Sequence, residues 1–377
     1  MANINDYLLW RGDLAITDEF KFNEIDSMIL ARFSYLIFDK IEMNEKETIE
    51  SISNKMKDFD NNEFRYNGDK ELITYLGKSN RFKNMYVTDY ISNNDKEVEK
   101  QFGAITIHIS DSEMYLSFIG TDNSIIGWKE DFNLSFMENI PAQIEGKNYT
   151  NKIAEKYKDK KIRIGGHSKG GNVAVYSAIS VSKEIQDRII KVYNYDGPGF
   201  DKKIVENNKN KHIIDRIETY IPKDSVIGRL LEHEEKYEIV HSIEKGLYQH
   251  DIYSWQVLKD DVVKVDTLED TSEIINNTMR EWLKQTTPSQ RKIFFDTVFE
   301  LFYSTSATTF KELSSAWTQN GMQILKKYKE LSEEDKQAIS QMLKEFAKAY
   351  LITMKENQKQ KIQSFTNAKR NEEFWQF

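Results

Sequence analysis

The chain has 377 residues, 39% of them hydrophobic and 12% aromatic, which is enough apolar material for a large packed core and too much for a disordered polymer. It carries no cysteine, which excludes disulfides, thiolate zinc sites and a cysteine nucleophile, and its formal charge of −8 without a basic patch argues against nucleic acid as a partner. No run of about 18 apolar residues occurs, and the opening Met1-Ala2-Asn3-Ile4-Asn5-Asp6 has no apolar leader core. The expectation is an unprocessed cytoplasmic protein with no transmembrane segment and at most transient contact with a membrane surface.

Residues 1–83 read as a helical N-terminal segment packed on a core. Asn23 caps an acidic first turn, and Ile25, Met28, Ile29, Phe33, Leu36 and Ile37 then recur at helical spacing. From residue 84 to 265 the pattern is that of an α/β core. Residues 85–91, 102–109 and 114–119 are β-branched and aromatic runs, the last two joined by the turn Ser110-Asp111-Ser112-Glu113. Strands at 161–165, 189–195 and 216–221 alternate with a helix after Ser168, which implies a mostly parallel central sheet flanked by helices. Ligands of such sheets bind at the carboxyl ends of the strands. Residues 266–377 read as a helical C-terminal extension, with helix starts at Thr287-Pro288-Ser289-Gln290 and Ser332-Glu333-Glu334-Asp335. Its apolar stripes are read first as packing and second as a lid or acyl-chain groove. The end of the chain, Phe374-Trp375-Gln376-Phe377, is read as an ordered cap or a loose tail.

The chemistry concentrates at Gly166-His167-Ser168-Lys169-Gly170, a G-x-S-x-G pentapeptide between a strand and a helix. A serine at that turn projects its hydroxyl outward from a strained backbone, tolerated because Gly166 and Gly170 have no Cβ. The free N–H groups of the following helix face the place where an oxyanion would form. A phosphate-binding loop would need Gly-Lys-Ser/Thr in that order, and here the order is Ser168-Lys169-Gly170. A serine nucleophile needs a base, and of the six histidines His250 is preferred because it follows every sheet strand, with His241 and His233 as alternatives. For the acid that orients the base, Asp224 and Asp196 both end strands. Asp224 is preferred because Asp196 opens Asp196-Gly197-Pro198-Gly199, strong turn chemistry in its own right. Oxyanion donors are expected from Lys169 and from Thr121, which follows Gly120.

Phe118-Ile119-Gly120-Thr121, Trp128-Lys129-Glu130-Asp131, the elbow pentapeptide, Asp224 and His250 together resemble the succession found in class 3 lipases. The opening Tyr7-Leu8-Leu9-Trp10-Arg11-Gly12-Asp13-Leu14 and the segment Asn194-Tyr195-Asp196-Gly197-Pro198-Gly199-Phe200 resemble the bacterial Mbeg1-like family more closely. The resemblance implies an α/β-hydrolase fold, with Ser168 as nucleophile, Asp224 as acid, His250 as base, and Thr121 with Lys169 as oxyanion donors. It implies lipase or esterase chemistry on lipid esters with no cofactor. Ile119 stands where the lipase pattern usually has arginine, and Asp131 with Trp128 is expected to brace the oxyanion loop. The alternative is a catalytically silent hydrolase-like scaffold that binds a lipid or a protein partner.

Overall fold

The computed structural model describes residues 2–122, 124–208, 212–268 and 270–374, so the terminal Trp375-Gln376-Phe377 lies outside the described residues. In chain order the helices are α1 (Ile4–Arg11), α2 (Glu24–Phe33), α3 (Ile49–Met56), α4 (Asp69–Lys78), α5 (Ile125–Asn133), α6 (Pro141–Lys156), α7 (Lys169–Ser180), α8 (Lys183–Arg188), α9 (Lys202–Asn208), α10 (Asp270–Gln285), α11 (Pro288–Tyr303), α12 (Phe310–Ser315), α13 (Trp317–Glu330) and α14 (Glu333–Phe374). The main sheet holds β1 (Glu47–Thr48), β2 (Tyr86–Asp95), β3 (Lys100–His108), β4 (Glu113–Phe118), β5 (Lys161–His167), β6 (Ile189–Tyr195), β7 (Ile217–Pro222) and β8 (Tyr237–Val240), paired in that order. Neighbours from β1 to β4 are antiparallel, and β4 to β8 run parallel. This is the mostly parallel, helix-flanked sheet of an α/β-hydrolase fold.

Side chains alternate across the sheet as a strand requires. On β4, Met114, Leu116 and Phe118 join Ile162, Ile164 and Val192 in a core shared with α6 and α7. Tyr115 points the other way and joins Tyr193, Tyr195 and Tyr220 in a core shared with α1 to α4. The N-terminal helices are therefore a full layer of the core. Helix α2 starts where sequence places it: Asn23 and Asp26 exchange side-chain-to-backbone hydrogen bonds, Asp26 N to Asn23 Oδ1 at 2.9 Å and Asn23 N to Asp26 Oδ2 at 3.0 Å. Ser117 Oγ donates to Leu30 O at 3.1 Å and Tyr115 OH to Ser27 O at 3.2 Å, fixing α2 across the sheet.

The C-terminal helices form a third apolar cluster, with Trp282, Phe295, Phe299, Met342 and Ala349 around Ile125 of α5. Helix α11 opens on the expected Thr287 cap with Pro288 at its first position, and Ser332 Oγ accepts from Asp335 N at 3.0 Å where α14 begins. Among the described residues no helix is long and apolar enough to cross a membrane.

Candidate active site

Parallel strands in register bring their carboxyl ends to one edge of the sheet. His167 lies opposite Tyr195, and Tyr195 opposite Tyr220, so the residues that follow them, Ser168 and Asp196, emerge side by side. Ser168 has φ 58° and ψ −135° and immediately precedes α7, and Asp196 has φ 52°. The backbone at each is held by the neighbouring strand: Ser168 N donates to Tyr195 O at 2.9 Å and Asp196 N to Tyr220 O at 2.8 Å. The glycines of the pentapeptide are there for close approach. A Cβ on Gly170 would lie 2.2 Å from Phe118 O, and one on Gly166 2.4 Å from the carbonyl carbon of Gly170.

Ser168, His250, Thr121, Lys169 and Asp131 line one cavity of about 200 Å³. His250 Nδ1 donates to Asp196 Oδ2 at 2.6 Å. The other oxygen of Asp196 accepts from Ser225 Oγ at 2.5 Å and from Gly228 N at 3.1 Å, so a buried carboxylate has its acceptors filled from three directions. The expected pairing of His250 with Asp224 is corrected by this geometry. Asp224 lies beyond the end of β7, where its Oδ2 accepts from Gly246 N at 2.8 Å and its N–H donates to Gln249 Oε1 at 3.1 Å. It shapes the loop that carries His250. The turn chemistry expected of Asp196 is done by Asn194, whose Oδ1 accepts from Gly197 N at 2.9 Å. That leaves the Asp196 carboxylate available. Of the alternative histidines, His233 pairs with Glu235 at 3.1 Å and neither it nor His241 lines the cavity.

Thr121 Oγ1 donates to Asp131 Oδ2 at 2.6 Å, and Trp128, from the same helix as Asp131, lines the cavity. Burial pushes the Asp131 carboxyl up to about 6 against the pull of Lys169 and the Thr121 hydrogen bond. Its Oδ1 is buried without a hydrogen-bond partner among the described residues, 3.9 Å from Lys169 Nζ. The Lys169 ammonium is itself enclosed, donating to Glu130 Oε2 at 2.7 Å, Gln101 Oε1 at 2.6 Å and Gln101 O at 3.0 Å. Glu130 in turn accepts from Gln101 N at 3.0 Å and Ala142 N at 2.8 Å, so the ion pair ties β3, α5, α6 and the elbow together.

Two further groups escaped sequence reasoning. His167 Nε2 donates to His250 O at 2.7 Å, anchoring the backbone of the candidate base to the elbow itself. Burial, then the nearby His250, holds the His167 imidazole well below its usual range, which keeps it neutral. Tyr35 OH donates to His167 O at 2.9 Å, and the Tyr35 ring closes the cavity beside Tyr66. Only the fact that His167 belongs to the pentapeptide could have drawn attention to it. Among the described residues no group of three or more His, Asp or Glu side chains could hold a metal ion.

Comparison with solved structures finds low similarity to lipases. A fungal lipase in complex with an inhibitor is 11% identical, aligned over 57% of this chain and 77% of its own, with a TM-score of 0.38. The Rhizomucor miehei lipase propeptide complex is 14% identical over 52% and 66%, with a TM-score of 0.34. A mutant form of MDLA from Penicillium cyclopium is 13% identical over 67% and 87%, with a TM-score of 0.39. No curated protein matches. The sequence profile of the Mbeg1-like family matches residues 76–300, which runs from the end of α4 through β2 to β8 and on to α11, and the chain belongs to that family.

Proposed function

We propose that the protein is a serine acyl hydrolase that cleaves carboxylic esters, with lipid esters as the substrate class. Ser168 Oγ attacks the ester carbonyl and His250 takes the proton. Asp196 holds the Nδ1–H of the imidazole, which fixes the tautomer and stabilises the charged ring. The N–H groups of Thr121 and Lys169, with the positive end of α7, receive the oxyanion. His250 returns the proton to the leaving alcohol, and water, activated by the same ring, releases the acyl group from Ser168. Asp131 positions Thr121, and Asp224 positions the loop of His250. The observation that carries this reading is the 2.6 Å contact of His250 Nδ1 with Asp196 in the cavity that Ser168 also lines.

One observation favours a silent scaffold instead: among the described residues no hydrogen bond joins the Ser168 hydroxyl to the His250 ring. Such contacts in unliganded sites commonly tighten only when substrate is bound. A fluorophosphonate probe separates the two readings, because it labels only an activated serine. Labelling of the wild type that disappears in Ser168→Ala, together with hydrolysis of nitrophenyl esters that disappears in the same variant, supports the enzyme. An unlabelled Ser168 and no ester hydrolysis support the scaffold.

A further inference from the structure

The cavity is lined by a few polar groups, Ser168, His250, Thr121 and Asp131, and by an apolar wall that includes Met279 and Leu283 of α10, Phe295 of α11, and Ile227, Leu230 and Leu231 from the segment after β7. Half of these six residues come from the C-terminal helices. The wall is fastened to both sides of the candidate catalytic centre. On the oxyanion side, the Phe132 and Phe295 rings stack with centroids 4.6 Å apart, Arg291 Nε donates to Ser135 O at 2.6 Å, and Lys129 is paired with Asp296. On the acid side, Asn276 Nδ2 of α10 donates to Ser225 O at 3.0 Å, and Ser225 is the residue whose hydroxyl bonds Asp196. Trp282 of α10 also lines the cavity, and its Nε1 donates to Met342 O of α14 at 3.3 Å.

We propose that Met279, Leu283 and Phe295 form the acyl-chain site of the enzyme and set the chain length it accepts, with an uncharged, single n-acyl chain as the occupant. The inference rests on Ser168 being the nucleophile. Charge decides the occupant. Among the described residues lining the cavity, Lys169 is the one Lys or Arg, and its ammonium is held by Glu130 and Gln101, so no side chain of the apolar wall would receive a phosphate or a carboxylate. Dry contact with aliphatic and aromatic side chains rewards methylene groups instead. Met279, unbranched and polarizable, adapts to a chain of varying path.

The test uses the full chain and a series of nitrophenyl esters from acetate to palmitate, read as the ratio of kcat/KM for decanoate to that for acetate. Leu283→Trp fills the wall and lowers the ratio by about ten-fold or more, the discrimination that a methylene or more commands in a hydrophobic pocket. Met279→Ala opens it and moves the optimum to longer esters. Leu325→Trp, on the exposed face of α13, keeps the wild-type ratio and serves as control. If Ser168-dependent hydrolysis is present and the two wall variants give the wild-type profile, the acyl-site assignment is wrong while the hydrolase reading stands. If the wild type hydrolyses no ester and takes no label, both fall together.

Discussion

Replacing Asp196 with asparagine tests the site at its most informative point, because the substitution preserves shape and changes one proton. An asparagine there keeps an oxygen for Ser225 Oγ and Gly228 N, the two donors that hold the present carboxylate. Its amide NH₂ then faces His250 Nδ1, now 2.6 Å from a carboxylate oxygen. Two donors cannot share that contact, so the ring shifts its proton to Nε2 and can no longer accept one from Ser168. Loss of the correct tautomer in a serine triad costs about 10⁴ in turnover, equivalent to about 5 kcal/mol at 1.36 kcal/mol per decade. Asp224→Asn leaves an amide oxygen to accept from Gly246 N–H, so its cost is that of one weakened hydrogen bond, about 1 kcal/mol or less than ten-fold in rate. Steady-state hydrolysis of a nitrophenyl ester, with circular dichroism to verify folding, measures both. Should Asp224→Asn lose about 10⁴ while Asp196→Asn stays within ten-fold, the assignment of the acid from geometry is wrong.

Asp131→Asn gives a stability signature that depends on pH. The Asp131 carboxyl is raised from 3.8 to about 6, so the stability its neutral form provides is present below about pH 4 and lost as pH rises through about 6. The asparagine variant escapes that loss and should exceed the wild type in urea unfolding at neutral pH by up to about 3 kcal/mol, two units at 1.36 each, with little difference near pH 4. A pH-independent difference rejects the burial account, and unchanged turnover rejects a bracing role for Asp131. Gly170→Ala should cost at least about 3 kcal/mol, because its Cβ would meet backbone at 2.2 Å. Gly321→Ala in α13, where nothing lies within 4 Å of the added atom, should instead stabilise by about 0.5–1 kcal/mol. Thermal melts of the pair check both signs. Glu130→Gln leaves the enclosed Lys169 ammonium without its counter-charge and should lower stability by about 3–5 kcal/mol, measurable by chemical denaturation.

What the sequence discloses here is what is local. The elbow reads directly because strand, serine and helix are contiguous, and α2, α11 and α14 read from caps only a few residues long. Helix α6 carries a weak signal, because its buried face is Ala142, Gly146, Tyr149, Thr150 and Ile153, too small and polar to give clear apolar periodicity. Strand β8 spans only Tyr237–Val240, half of it exposed at the sheet edge. The Lys169 and Glu130 pair is invisible for another reason: charged residues are ordinarily solvated, and nothing local announces that two of them, with Gln101, will meet inside. The choice between Asp196 and Asp224 turned on whether a turn is closed by Asp196 or by Asn194, and both patterns spell the same segment.

Strain marks the site more sharply than any residue pattern. Among the described residues, six other than glycine have positive φ, and two of these, Ser168 and Asp196, follow adjacent parallel strands directly. A side chain held in such a conformation costs about 1–3 kcal/mol, and it persists only where surrounding contacts over-determine it. Here each strained residue donates its N–H to the next strand, Ser168 to Tyr195 and Asp196 to Tyr220, so relaxing either one breaks the register of the sheet. The same tilt that strains the backbone throws the hydroxyl and the carboxylate over the sheet edge into the space where His250 is anchored by His167. Local preference would place extended or turn conformations at both positions. Two coupled departures from it, on neighbouring strands and aimed at one imidazole, are what the proposed catalytic role of Ser168 and Asp196 requires of the backbone.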